Sequence, residues 1–234
     1  MELSKRLRAV AGLVTEGASV ADIGTDHGYI PICLIREGTA SRAIALDINE
    51  GPLMRAREHI EAFGLSGCIE TRLSDGLSAV RPGEVDTMIA AGMGGGLVIH
   101  ILEEGSKVVE QLTYCILQPQ SEIAKVRRYL GEHRLVIVRE DMVEEDGKFY
   151  PMMLAVHGEP ETYTQEELLY GKKLLECRHP VLKRYLLREL NIREHIREQL
   201  SENGSERSEN RAREIKQELL VIRRALKFFE ERKV

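Results

Sequence analysis

Apolar positions along the chain change period twice. Leu3, Leu7, Val10 and Val14 recur at helical spacing, with Lys5, Arg6 and Arg8 opposite them, which predicts an amphipathic helix over 2–15. Short apolar runs follow: Ser19–Ile23, Arg42–Asp47, Ile69–Leu73, Val85–Ala90 and Tyr114–Leu117. Such runs, alternating with stretches of helical period, predict a parallel sheet buried on both faces. Helices are expected from Tyr29, from Gly51-Pro52 to about Phe63, from about Leu97 to Gly105, and over 121–131. Leu135–Val138 and Met152–Val156 predict an antiparallel pair that closes the sheet, joined through Glu144–Tyr150 with its Asp-Gly turn signal. Beyond Gly158-Glu159-Pro160 no strand pattern remains. Residues 165–177 and 180–202 read as helices, and Ser201–Ser205 as a turn. The last helix spaces Ile215, Leu219, Ile222, Leu226 and Phe229 alternately by four and three, the seam of a coiled coil. Its expected partner is the preceding helix with Tyr185, Leu186, Ile192, Ile196 and Leu200; an intermolecular coil is the alternative. The chain thus divides into an α/β domain, 1–160, and a helical coiled-coil domain, 161–234.

Charge sharpens that division. Residues 1–160 carry 16 Lys+Arg against 24 Asp+Glu, whereas 161–234 carry 17 against 14. A basic tail on an acidic body is compatible with a polyanionic partner. Arg184, Arg188, Arg193, Arg197, Arg211, Arg223 and Arg224 are expected to face outward from the seam. There is no apolar run of about 18 residues for a membrane span, and the first residues lack the apolar region of a signal peptide. Cys33, Cys68, Cys115 and Cys177 stand singly, with no C-x-x-C pair. No metal site is expected, and a reducing cytoplasm is the setting they fit.

Chemistry concentrates at the ends of the predicted strands. Asp22-Ile23-Gly24-Thr25-Asp26-His27-Gly28 joins the first strand to its helix. Gly24 permits a tight turn and close approach of a ligand to the backbone. The loop is no dinucleotide fingerprint: Asp26 stands where that pattern needs glycine, and its carboxylate would repel a pyrophosphate. An acid there suits a ligand with a cationic end, such as the sulfonium and ammonium of S-adenosylmethionine (SAM). Asp47, ending the second strand, is placed to accept hydrogen bonds from two ribose hydroxyls. Asp75-Gly76 follows the third strand. Ala91-Gly92-Met93-Gly94-Gly95-Gly96 follows the fourth and leaves room for a planar base or a transferred methyl. The Asn- or Asp-Pro-Pro-aromatic loop of common amino-group methyltransferases is absent from that position.

Taken together, Leu3-Ser4-Lys5-Arg6-Leu7, Ala21–Pro31, Ala91–Gly95, Leu117-Gln118-Pro119, Glu144–Tyr150 and the helical tail resemble the bacterial tRNA (adenine-22-N1)-methyltransferase family, TrmK. The resemblance covers essentially the whole chain. It implies a Rossmann-like SAM-dependent methyltransferase domain, a C-terminal helical domain that binds tRNA, and methylation of adenosine 22 in the D-arm. By motif match, Asp22 and Gly24 to His27 would serve the methionine end of the cofactor, Asp47 and Ile48 the ribose, Asp75 and Gly76 the adenine, and Ala91 and Gly92 the methyl side. Asp26 and His27 are the candidates for a proton-accepting role, although the motif identifies no base. The family pattern frequently has alanine where this chain has Gly28, a departure expected to leave the site intact. A monomer is expected, with self-association through the coiled coil as the alternative. The competing readings are methylation of another RNA site or a small molecule on the same scaffold, and a non-catalytic RNA-binding module.

Overall fold

The first and fourth apolar runs become the centre of a sheet because both of its faces are covered. The structure, a computed structural model, describes residues 2–201 and 206–230. It divides into two units, 1–162 and 163–234. In the first unit, β1 (Ala18–Ile23), β2 (Ala40–Asp47), β3 (Ile69–Leu73), β4 (Thr87–Gly94), β5 (Tyr114–Ser121), β6 (Leu135–Glu145) and β7 (Lys148–His157) form one sheet in the order β3-β2-β1-β4-β5-β7-β6. Strands β1 to β5 are parallel, and β7 runs antiparallel to both β5 and β6. β1 pairs with β2 on one side and β4 on the other. Successive connections therefore leave in opposite directions from β1, which opens a crevice at its carboxyl end.

Five helices of this unit follow the prediction with adjusted limits: α1 (Lys5–Ala11), α2 (Tyr29–Arg36), α3 (Glu50–Ala62), α4 (Gly95–Glu104) and α6 (Ile123–Glu132). A short α5 (Ser106–Val109) was not anticipated. α1 is half the expected length. Ser4 Oγ accepts a hydrogen bond from Leu7 N at 3.2 Å, and Gly12 ends the helix, so Leu3 and Val14 are buried from flanking segments. The Glu145 carboxylate, from the far hairpin, accepts the backbone N–H of Lys5 at 2.6 Å. Residues of α1 and α2 share one core with Ile89, Ile116, Met152 and Leu154 of the sheet.

The glycine run departs from the expected loop. β4 continues through Gly94 with register shifts, and α4 starts at Gly95. A Cβ on Gly95 would lie 2.5 Å from Ser121 O, so this glycine lets the helix close onto the end of β5. The hairpin is longer than predicted, leaving Asp146-Gly147 (φ +49° and +70°) as a two-residue turn. Between α6 and β6, Arg127 and Glu140 form a fully buried ion pair at 2.9 Å.

In the second unit the predicted helix 165–177 breaks at Gly171 (φ +92°) into α7 (Gln165–Tyr170) and α8 (Lys172–Glu176). Thr164 and Glu167 build a capping box at the start of α7. α9 (Pro180–Ser201) and α10 (Glu206–Leu226) pack against each other. Of the predicted turn, residues 202–205 lie outside the described residues. Ile215, Leu219 and Ile222 are buried as the seam requires, but Ala225 takes the place expected for Leu226. Ile192 is 38% exposed. Its neighbour Arg193 meets α10 instead, pairing with Glu218 there and with Glu189 on its own helix at 3.0 Å. Arg193 is therefore not outward-facing. Arg211, Arg223 and Arg224 also pair with acids, Glu214, Glu194 and Glu166 respectively. No helix among the described residues is long and apolar enough to cross a membrane.

Candidate functional site

The carboxyl end of β1 delivers Asp22 to the crevice, buried to 3% exposure, where Oδ2 accepts the Thr25 hydroxyl at 2.6 Å. Burial pushes its carboxyl up to about 7; the Thr25 bond opposes the shift and the nearby Asp47 charge adds to it. The chain then turns sharply. Gly24 (φ +69°), Asp26 (φ +52°) and Gly28 (φ +70°) all take left-handed backbone, and Thr25 N donates to Leu46 O at 2.9 Å across to β2. Glycine suits position 28 in this chain. A Cβ there would meet Ala56 Cβ at 3.3 Å from a backbone that L side chains rarely adopt.

Asp22, Gly24, Asp26, His27, Ala91 and Gly92 wall a single cavity of about 220 Å³, together with Arg6, Leu7, Thr25, Tyr29 and Ile30. The exposed Asp26 carboxylate is bonded to Arg55 at 3.0 Å and lies 3.7 Å from His27 Nε2. His27 stacks on Tyr29 (5.0 Å between centroids) and His59 (5.5 Å), and His59 Nδ1 donates to His27 O at 2.9 Å. His27 Nδ1 is buried without a hydrogen-bond partner.

The other predicted residues stand apart from that cavity. Asp47, 8% exposed at the end of β2, accepts Asn49 N at 2.9 Å, and Ile48 beside it is 59% exposed. Asp75 and Gly76 border a second cavity of about 410 Å³ with Leu77, Ser78, His100 and Ile101.

Arg6, which the sequence already offers as a residue able to touch cofactor or phosphate, lines the first cavity, and the buried Gln118 beside it was not anticipated. Gln118, fully buried at the end of β5, accepts Gly92 N at 3.1 Å and Arg6 Nη1 at 2.9 Å through the same oxygen. Its Nε2 has no partner. Both residues lie within motifs visible in the sequence, Leu3–Leu7 and Leu117-Gln118-Pro119, but nothing local signals that they meet.

A methyltransferase domain family matches residues 3–153. The tRNA (adenine(22)-N(1))-methyltransferase of Bacillus subtilis is 40% identical over 159 residues, covering 68% of this chain and 67% of that protein. Among solved structures, Streptococcus pneumoniae Sp1610 in complex with S-adenosyl-L-methionine superposes with a TM-score of 0.86 at 32% identity, covering 96% of this chain and all of that one. Mycoplasma capricolum TrmK in complex with S-adenosyl-homocysteine superposes with a TM-score of 0.84 at 28% identity, over 98% of this chain and all of that one.

Proposed function

The chain belongs to the tRNA (adenine(22)-N1)-methyltransferase family, and from that premise we propose that it methylates N1 of adenosine 22 in the D-arm of tRNA, using S-adenosyl-L-methionine. The observation that carries this reading is the cavity at the carboxyl ends of β1 and β4, where a buried acid, Asp22, waits for a cation. A carboxyl held near neutrality by burial is relieved by an ammonium group, so this wall fits the amino-acid end of the cofactor. When bound, the cofactor supplies an electrophilic methyl group. Asp47 and the exposed Ile48 are assigned to the ribose, Asp75 and Gly76 to the adenine, and Gly24 to His27 with Ala91 and Gly92 to the methionine and methyl side.

Adenine N1 carries an in-plane lone pair, so the protein has no proton to remove before transfer. Its task is alignment. The product base is cationic, which makes the acidic residues of the cavity a favourable surrounding for developing positive charge. Asp26 shares its charge with Arg55, which supports a role in shaping the loop. His27, which lines the cavity beside Asp26, is the candidate to accept a proton from the adenine amino group after transfer. Because N1 lies on the Watson–Crick edge, the adenosine must be turned out of any pair to react. The helical unit is proposed to hold tRNA through phosphate contacts, with the protein acting as a monomer.

Incubating the protein with SAM and an unmodified bacterial tRNA transcript, then locating the modified nucleotide by primer-extension arrest and mass spectrometry, tests this reading. The expected product is one 1-methyladenosine at position 22, absent when that position is guanosine. Transfer to another position, or to no RNA, refutes it.

A further inference from the structure

The ends of β4 and β5 are paired out of step. Ala91 faces Gln118, Met93 faces Pro119 and Gly94 faces Ser121, which leaves Gly92 on one strand and Gln120 on the other without a partner in the register. Each is the extra residue of a bulge, and a bulge beside a site re-aims the side chain it carries. Gly92 carries none and takes left-handed backbone (φ +83°), whereas Gln120 is exposed. A Cβ on Gly92 would lie 3.7 Å from Gln120 Nε2, so the carboxamide stands over a glycine that walls the cavity.

The two glutamines beside Pro119 are used differently. Gln118 is buried, and its oxygen accepts from Gly92 N at 3.1 Å and from Arg6 Nη1 at 2.9 Å. The Gln120 carboxamide is bonded to no protein group among the described residues. Glu122, two positions on, is already paired with Lys125. Gln120 is thus left with both a donor and an acceptor to offer beside Ala91 and Gly92. A carboxamide matches one edge of adenine. Its oxygen accepts from the exocyclic N6 amino group while its nitrogen donates to N7, a bidentate pair recurrent in nucleic-acid recognition. That pair occupies the Hoogsteen edge and leaves N1, on the Watson–Crick edge, free to meet a methyl group. Guanine presents O6 and N7, both acceptors, and cannot complete it.

We propose that Gln120 selects the target base by bonding the N6 amino group and N7 of adenine, and so holds N1 toward the methyl group to be transferred. This inference rests on the reading of the chain as an adenosine N1-methyltransferase.

The test compares tRNA carrying adenosine at position 22 with tRNA carrying 7-deazaadenosine there, which keeps N1 and the amino group but has a C–H in place of N7. The ratio of the two kcat/KM values reports recognition of N7. Wild-type protein is expected to prefer the adenosine substrate about tenfold. Gln120→Ala is expected to lose about tenfold on the adenosine substrate, to bring the ratio close to unity, and to bind SAM as wild type does in calorimetric titration. Gln120→Glu keeps an acceptor for N6 but sets a carboxylate against the N7 lone pair, so its preference is expected to invert towards the 7-deaza substrate. Unchanged kcat/KM in Gln120→Ala overturns the proposal. A wild-type ratio retained in Gln120→Ala also overturns it, since N7 would then be read elsewhere. So does a parallel loss of SAM affinity, which would place Gln120 in the cofactor's support rather than on the base. A wild-type protein that leaves adenosine 22 unmethylated overturns the underlying reading, and the role of Gln120 falls with it.

Discussion

Asp22 makes the binding of a cationic ligand depend on pH in a calculable way. Its carboxyl is buried and raised to about 7, so a large part of the ligand-free protein holds it neutral below neutrality. If the ammonium of SAM requires the carboxylate, the apparent Kd follows the fraction ionised. Between pH 7 and pH 5.5 that fraction falls from about one half to about one thirty-third, so affinity drops about 15-fold, or about 1.6 kcal/mol. An α-amino group, with a pKa of about 7.7–8.0, stays charged across this window and contributes no slope of its own. Calorimetric titration at pH 5.5, 6 and 7, in buffers of different ionisation enthalpy, is expected to show the loss together with release of about one proton per SAM at the lowest pH. Asp22→Asn is expected to bind weakly and without this slope. The same shift has a consequence for stability. Because the folded-state pKa is raised, the stabilisation is fully present below the unfolded value near 3.8 and is lost as pH rises through about 7. The ligand-free protein is therefore expected to melt lower at pH 8 than at pH 6, with SAM narrowing the difference. A SAM affinity that is flat from pH 5.5 to 7 refutes the assignment of Asp22 to the ammonium.

Other expectations follow from single contacts. Asp47→Ala removes a charged acceptor at the end of β2 and is expected to weaken SAM binding by about 1.5–3 kcal/mol, read by titration into the folded variant; unchanged affinity removes Asp47 from the site. Gly28→Ala forces a left-handed alanine against Ala56 and is expected to lower stability by about 1–2 kcal/mol in urea unfolding, so an unshifted midpoint contradicts the local backbone. Glu140→Ala strands the buried Arg127 guanidinium and is expected to cost about 3–5 kcal/mol, much of it recovered when Arg127→Met is added. Replacing the exposed Arg184, Arg188 and Arg197 by glutamine is expected to weaken tRNA binding and to flatten its dependence on salt; an unaltered salt slope would remove these three from the RNA contact.

What could be read in advance was whatever is local. The strands themselves, the acid-Gly turn after β1 and the closing hairpin all rest on short runs whose residue types state their environment. Asp22 and Asp47 could be placed because a strand end determines where its last side chain goes. The sign of φ at Gly28 could not, because a glycine used for space and a glycine used for a left-handed turn look alike in sequence. Ile192 and Arg193 show the same limit on a helix. A shift of one position along α9 exchanges the residue facing α10, and periodicity alone does not resolve one position when both are long side chains. Arg6 and Gln118 lie 112 positions apart, and only the assembled sheet brings their atoms to 2.9 Å.

The tie between Glu145 and the first turn of α1 spans 140 positions. A chain emerging from the ribosome makes Arg6 long before Glu145, the residue on one of the last strands of the α/β unit that fixes its backbone. Gln118 is synthesised before that strand, so the socket exists before its plug can be locked in place. Closing so long a loop yields nothing until the hairpin has formed. The residue of this wall that is translated first therefore has its backbone tied by one of the last side chains of the α/β unit.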